Sequence, residues 1–394
     1  MKFAMEAQRQ FLQENNPTTG LENNVNQFLS GINPLIWLAL VGTLFFAAAA
    51  KGEDFYGSMY VEDSLVHYIQ PEQKWHGIPI IMIPGLNLSS YIYVTTPDGR
   101  NGWAQAFAAK GFDVYVINDP DFDFLKGGFS VSPFIVPTEG APPLDPSSSQ
   151  AWQNDVWRRW GFGESEGNPY PDTRFPTDYF AVFKANFPYV SSSATSYADA
   201  IVALLQTTGP AVLMAHSAGG PQAVNAALAR PDLVRGFIMI EPTNPPDGDD
   251  FPALAGMSMF GVYGDYIDSR NQGSRKAGTE AAAVLFSQNG GVGEVVSLPD
   301  DLGINGNTHL MMQDNNNLFI ADLIITWLCE HISPAIGDTN GDNLVDLADA
   351  ILALQVLTGS KPPALSPRAD INQDSKIGLE EAINTLQVIS GLKP

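Results

Sequence analysis

The run Val212-Leu213-Met214-Ala215-His216-Ser217-Ala218-Gly219-Gly220 constrains this chain more than any other. An apolar segment stops at a small residue, presents a serine, and continues into two glycines and a helix. A strand that turns sharply into a helix reads this way, with the serine at the tip. Ala215 and Gly219 flank Ser217 where such a turn crowds the backbone. Glycine is commoner at the first position, so Ala215 is a departure from the pattern. If Ser217 is a nucleophile, the chemistry is hydrolysis or acyl transfer. A base, an acid and an oxyanion hole must then lie elsewhere in the chain.

The other segments that surround this run alternate in character. Gly77 to Ile83, Phe112 to Ile117, Val212 to Ala215, Val234 to Ile240 and Met257 to Tyr263 read as strands. Trp103 to Lys110 and Ser196 to Leu205 read as helices, the first closed by Gly111. Unbroken apolar strands alternating with helices imply an α/β class. The sheet is then mostly parallel, flanked by helices on both faces. Ligands of such sheets sit at the carboxyl ends of the strands. Residues 120–190 interrupt the alternation with prolines and aromatics, Trp152, Trp157, Trp160 and Phe162 among them. A long segment without periodicity reads as a cap, and these four rings are the expected apolar wall of a substrate pocket.

Length and composition limit the rest. With 394 residues and 44% hydrophobic content, the chain can bury a large core. A net charge of −23 argues against nucleic acid as a partner, because polyphosphate would be repelled. The lone cysteine, Cys329, has no intramolecular disulfide partner and reads as a packing residue on an amphipathic helix. Residues 1–50 begin polar and end in an apolar stretch from Leu35 to Ala50, shorter than the ~20 residues of a membrane span. Its alanine-rich end offers small-residue cleavage sites, so it reads as a signal peptide cut near Ala50, with an uncleaved N-terminal anchor as the rival. The expected product is secreted, extracellular or periplasmic, with no stable membrane span after processing.

Among the five histidines, His309 suits the base. It lies in a glycine-rich loop before the last helix of the alternating region, and in this chain order the serine comes first and the histidine last. Two carboxylates end strands and compete for the acid: Glu241, fixed by Pro242, and Asp265, after Gly264. The loop that follows Ile83 would supply the oxyanion hole through the backbone N–H of Leu86, with the N–H of Ala218 as the second donor. Thr96-Pro97-Asp98-Gly99-Arg100 reads as a turn, with Arg100 paired to an acid.

These residues carry a family resemblance. Ile83-Pro84-Gly85-Leu86, Thr96 to Trp103, Ala215 to Gly219, Glu241-Pro242-Thr243-Asn244-Pro245-Pro246, and Gly306 to His309 with Met312 to Asn315 resemble bacterial serine esterases of the esterase 713 type. The resemblance spans about residues 55–332 and implies the α/β-hydrolase fold, a carboxylic ester hydrolase and a Ser–His–Glu triad. It selects Ser217, His309 and Glu241, with Asp265 the alternative acid. Pro84-Gly85 stands where His-Gly is more usual, and the single cysteine removes any disulfide such relatives carry. Lipases, amidases and polyester hydrolases share the fold and remain alternatives. A catalytically inert, surface-tethered binding or scaffold protein is the alternative from another class. No catalytic cofactor is expected.

Residues 336–394 contain an internal repeat. Asp338-Thr339-Asn340-Gly341-Asp342 recurs as Asp370-Ile371-Asn372-Gln373-Asp374, and the helices that follow repeat too. Oxygens at loop positions 1, 3, 5, 7 and 12 surround one Ca²⁺. The first loop offers Asp338, Asn340, Asp342, the Leu344 carbonyl, Asp346 and Asp349. The second offers Asp370, Asn372, Asp374, the Lys376 carbonyl and Glu381. The segment resembles a type I dockerin, a small all-α module of paired calcium loops. That resemblance implies structural Ca²⁺ and a possible cohesin-like partner.

Overall fold

A computed structural model describes residues 54–72, 74, 76–120, 156–187, 196–332, 337–340, 345–360, 365–366, 369–371, 376–390 and 392. The N-terminal segment to residue 50, most of the 120–190 stretch, Trp152, and the loop residues Asp342, Leu344, Asn372 and Asp374 lie outside the described residues.

The strands are β1 (Phe55–Val61), β2 (Ser64–Gln70), β3 (Ile80–Ile83), β4 (Val114–Ile117), β5 (Gly163–Ser165), β6 (Asn168–Pro169), β7 (Ala211–His216), β8 (Val234–Ile240), β9 (Ser258–Tyr263) and β10 (Gly293–Ser297). Eight of them form one sheet in the order β1-β2-β4-β3-β7-β8-β9-β10. β2 pairs antiparallel with both β1 and β4, and every pairing from β4 to β10 is parallel. β5 and β6 make a separate two-stranded ribbon. This is the α/β-hydrolase fold, with the serine at the end of a central strand.

Central strands of such a sheet are covered on both faces, which is why they are apolar throughout. Successive side chains alternate between two cores. Ile80, Met82, Val212, Met214, Ile238 and Ile240 enter one of them, where Trp103, Phe107, Ile320 and Ile324 pack from the helices Trp103–Ala109 and Asn317–His331. Ile81, Ile83, Leu213, Ala215, Phe237 and Met239 enter the other. There they meet Ile201, Leu204, Ala223, Ala226 and Phe286 of the helices Ala198–Thr208, Gly219–Ala229 and Gly273–Gln288. Cys329 is buried within the last helix of this region, in the packing role its surroundings imply.

The described part of the 120–190 stretch departs from expectation. Trp157, Trp160 and Phe162 are buried and pack with Phe175, Phe180 and Phe183 rather than standing as an open wall. Phe162 stacks on Phe175 with centroids 3.8 Å apart, and Trp157 meets Phe180 edge-on at 5.1 Å. A short segment without a long helix buries its apolar area by clustering its own rings, each pair adding roughly 0.5–1.5 kcal/mol beyond area burial.

In the C-terminal region the helices Leu347–Leu357 and Leu379–Ile389 pack on each other. Each starts with a carboxylate from its first turn bound to the capping residue's N–H: Asp349 to Asp346 and Glu381 to Gly378.

Phe237 is fully buried in β8, with its ring 5.8 Å from that of Phe286. Phe237→Ala should lower unfolding free energy by about 3–5 kcal/mol, read from urea denaturation.

Candidate active site

Ser217 follows β7 with φ +50°, in the left-handed region that costs a serine about 1–3 kcal/mol. Neighbouring strands hold it there. Its N–H donates to the Ile240 carbonyl at 3.0 Å, and its own carbonyl accepts from Thr243 N–H at 2.9 Å and Gly220 N–H at 3.0 Å. The small residues around it are required by contact. A Cβ on Gly219 would sit 2.7 Å from the Ile83 carbonyl oxygen, and one on Gly220 would sit 2.7 Å from that of Thr243. A Cβ on Gly85 would sit 2.7 Å from His216 Nδ1 and 2.9 Å from Ser217 Cβ. The loop after β3 therefore lies directly against the serine.

Glu241 follows β8, beside β7, and also has positive φ, +43°. Its side chain is almost fully buried and carries four hydrogen bonds. Oε2 accepts from His309 Nδ1–H at 2.5 Å and from Arg270 Nη1 at 2.6 Å. Oε1 accepts from Arg270 Nη2 at 2.7 Å and from Gly264 N–H at 2.9 Å. Burial alone would raise this carboxyl, but the Arg270 guanidinium and His309 outweigh burial and hold it well below the usual carboxylate range.

His309 is fixed at both ends. Its N–H donates to the Trp160 carbonyl at 2.8 Å, and its carbonyl accepts from His216 Nε2–H at 2.9 Å. Donation from Nδ1 to Glu241, assigned from the bonding network, leaves Nε2 as the proton acceptor. Burial pulls the imidazole below its ordinary value; Glu241 pushes it up, and Arg270 and Arg275 pull it down further. Among the described residues, Ser217 Oγ makes no hydrogen bond, and the tie between the two segments runs through His216. Such contacts are often long before substrate binds.

The loop carrying His309 folds around Asp314. Thr308 N–H and Asn307 Nδ2 donate to its Oδ2 at 2.7 and 2.9 Å, and Thr308 Oγ1 donates to Oδ1 at 2.7 Å. Burial pushes this carboxyl up to about 7, against those bonds. Arg100 pairs with Asp98 at 2.6 Å, as the turn implies, and its other nitrogens donate to the carbonyls of Asp314 and Gln313. Asp265 is elsewhere: its carboxylate accepts the N–H groups of Tyr266 and Gly306, and it does not reach the His309 ring. Leu86 and Ala218 have backbone N–H groups with no backbone acceptor among the described residues. Ala218 stands at the N-terminus of the helix Gly219–Ala229, where the dipole favours negative charge.

Sequence reasoning missed Arg270, the His216–His309 bond and Asp314. Arg270 lies in an irregular turn after β9 where no spacing rule marks a carboxylate partner.

No family model matches the chain. It is 26% identical over 339 residues, 73% of this chain and 89% of the other, to the protein named "Probable secreted lipase phiG" from Fungal sp. (strain ATCC 74256). Among solved structures it is similar to a bacterial esterase, with 26% identity, a TM-score of 0.56, and coverage of 71% of this chain and 96% of that one.

Burial lowers His309, His216 and, to about 4, His67. Between those folded values and the unfolded value near 6.5, the unfolded chain binds more protons, so stability rises with pH there. The histidine contribution to unfolding free energy should therefore be fully present above pH ~6.5 and fall as pH drops below it, by up to about 1.4 kcal/mol per pH unit for each histidine, while Asp314, raised to about 7, offsets one of the three because its folded carboxyl binds a proton first. Urea midpoints measured between pH 7.5 and pH 5 check this.

Proposed function

We propose that this protein is a secreted serine hydrolase that cleaves carboxylic esters through Ser217, His309 and Glu241. The observation that carries the reading is the 2.5 Å bond from His309 Nδ1–H to the buried Glu241 carboxylate, which frees Nε2 to accept a proton, on a residue tied through His216 to the segment of a strained serine. The similarity to an esterase and to a protein named a secreted lipase supports ester hydrolysis and an extracellular setting.

In the proposed reaction, Nε2 takes the Ser217 hydroxyl proton as Oγ attacks the ester carbonyl. The oxyanion is held by the N–H groups of Leu86 and Ala218. The tetrahedral intermediate collapses as the imidazolium gives its proton to the leaving alcohol, and an acyl-enzyme remains. His309 then deprotonates water, which attacks the acyl carbon and returns Ser217 and the free acid. Glu241 stays ionised throughout and stabilises the imidazolium. A lipase is the second reading, favoured by the named relative and by Leu86, which is 52% exposed beside the serine. An inert scaffold would have no need to keep Glu241 buried and bonded to His309.

We further propose that the C-terminal module binds structural Ca²⁺ and docks a cohesin-like partner. The residues suit a hard cation. Glu381 Oε1 is buried and without a hydrogen-bond partner among the described residues, and Asp338 is buried too. Asp338, Asn340, Asp342, the Leu344 carbonyl, Asp346 and Asp349 would hold one ion. Asp370, Asn372, Asp374, the Lys376 carbonyl and Glu381 would hold the other. Ca²⁺ supplies no step of the hydrolysis.

Ser217→Ala should lose on the order of 10⁴-fold or more in kcat on p-nitrophenyl esters. Retained activity would contradict the proposal. Chelation should lower the melting temperature of the C-terminal transition while kcat/KM stays unchanged; a melting curve that EDTA leaves untouched would remove the calcium reading.

A further inference from the structure

Arg270 is a charged group bonded to the proposed triad that the proposed reaction does not use. Its side chain is inaccessible, and it forks onto both oxygens of a carboxylate that is itself 1% exposed. It is anchored independently of that carboxylate, because Nη2 and Nε also donate to the Asp265 carbonyl at 2.8 and 3.3 Å. A buried guanidinium is held at high desolvation cost, so its effect on neighbouring charges is large. In a histidine–carboxylate pair without such a cation, the carboxylate favours the imidazolium and raises the histidine. Here Arg270 offsets part of the carboxylate charge. A proton on His309 is therefore less favoured than it would be beside Glu241 alone.

We propose that Arg270 is a positioning residue that fixes both Glu241 oxygens and, by offsetting part of their charge, keeps His309 neutral and competent as a base at pH values where a pair without that cation would be protonated. This rests on the reading of Ser217, His309 and Glu241 as the reacting set.

The charged and titratable groups that face His309 agree with this assignment. Glu241 approaches from the end of β8, Arg270 from the turn after β9, Arg275 from the helix Gly273–Gln288, and His216 from the end of β7. Asp265 and Asp314 are close in sequence to these elements but spend their carboxylates on the N–H groups of Tyr266, Gly306 and Thr308. Glu241 is thus the only one of these carboxylates bonded to the imidazole, and Arg270 the cation bonded to Glu241. The substituents test charge and geometry separately. Lysine keeps the charge but loses the fork, and methionine loses both.

The acid limb of kcat/KM against pH is the readout. In Arg270→Met it should move to higher pH by roughly one unit or more, the scale expected for losing one close charge. In Arg270→Lys the limb should stay near its wild-type position while kcat falls. An unmoved limb in folded, active Arg270→Met would overturn the proposal, as would an equal shift in both variants. If Arg270→Met fails to fold, the titration of His309 is read by NMR in Glu241→Gln and in Glu241→Gln/Arg270→Met. The cation left alone in the first should depress His309, and its removal in the second should raise it again. Equal His309 titrations in the two would overturn the proposal. The NMR readout does not require activity, so a failure of the serine hydrolase reading (activity surviving Ser217→Ala) is seen separately.

Discussion

The arrangement depends on one buried carboxylate with four donors. Glu241 binds His309, Arg270 and the Gly264 amide at once, and so ties the end of β8 to the turn after β9 and to the loop carrying His309. Remove the carboxylate and a buried guanidinium loses its counter-charge, a histidine loses its orientation, and the Gly264 amide loses its acceptor. Leaving such groups unpaired costs several kcal/mol, which is why the junction is a structural commitment as well as a chemical one.

The sheet order makes that junction possible. β7 delivers Ser217, β8 delivers Glu241, and β9 leads into the turn with Arg270, so three adjacent parallel strands place the groups side by side at their carboxyl ends. Both Ser217 and Glu241 sit at positive φ, and each is held by a hydrogen bond to the next strand: Ser217 N–H to Ile240, and Glu241 N–H to Val262. The strain at each strand end is thus carried by its neighbour. The burial of the two helix layers on either face supplies the rigidity for this.

The central strands were legible because burial on both faces leaves an uninterrupted apolar run, and β8 falls on Val234–Ile240 as its pattern predicts. β1, β2 and β10 were not read from the sequence: β1 and β10 form the two edges, β1 is largely exposed, and Gly293-Glu294 weakens the pattern of β10. The elbow was readable because Gly219 and Gly220 admit no Cβ. The choice between Glu241 and Asp265 was not fixed by local sequence, since both follow an apolar strand; the difference is which carboxylate the fold turns toward His309 and which toward Gly306. The rings of Trp157, Trp160 and Phe162 announced an apolar cluster but not what it covers. Arg270 gave no signal, because its partner comes from another strand and no periodicity links the two.

The most direct measurement is the site and rate of labelling by a fluorophosphonate, read by mass spectrometry of the digested full-length protein. The adduct should form on Ser217 and should be strongly slowed in His309→Gln, since the attacking oxygen then lacks its base. An adduct on another residue, or one whose rate is indifferent to His309, would contradict the reading of these two residues as nucleophile and base.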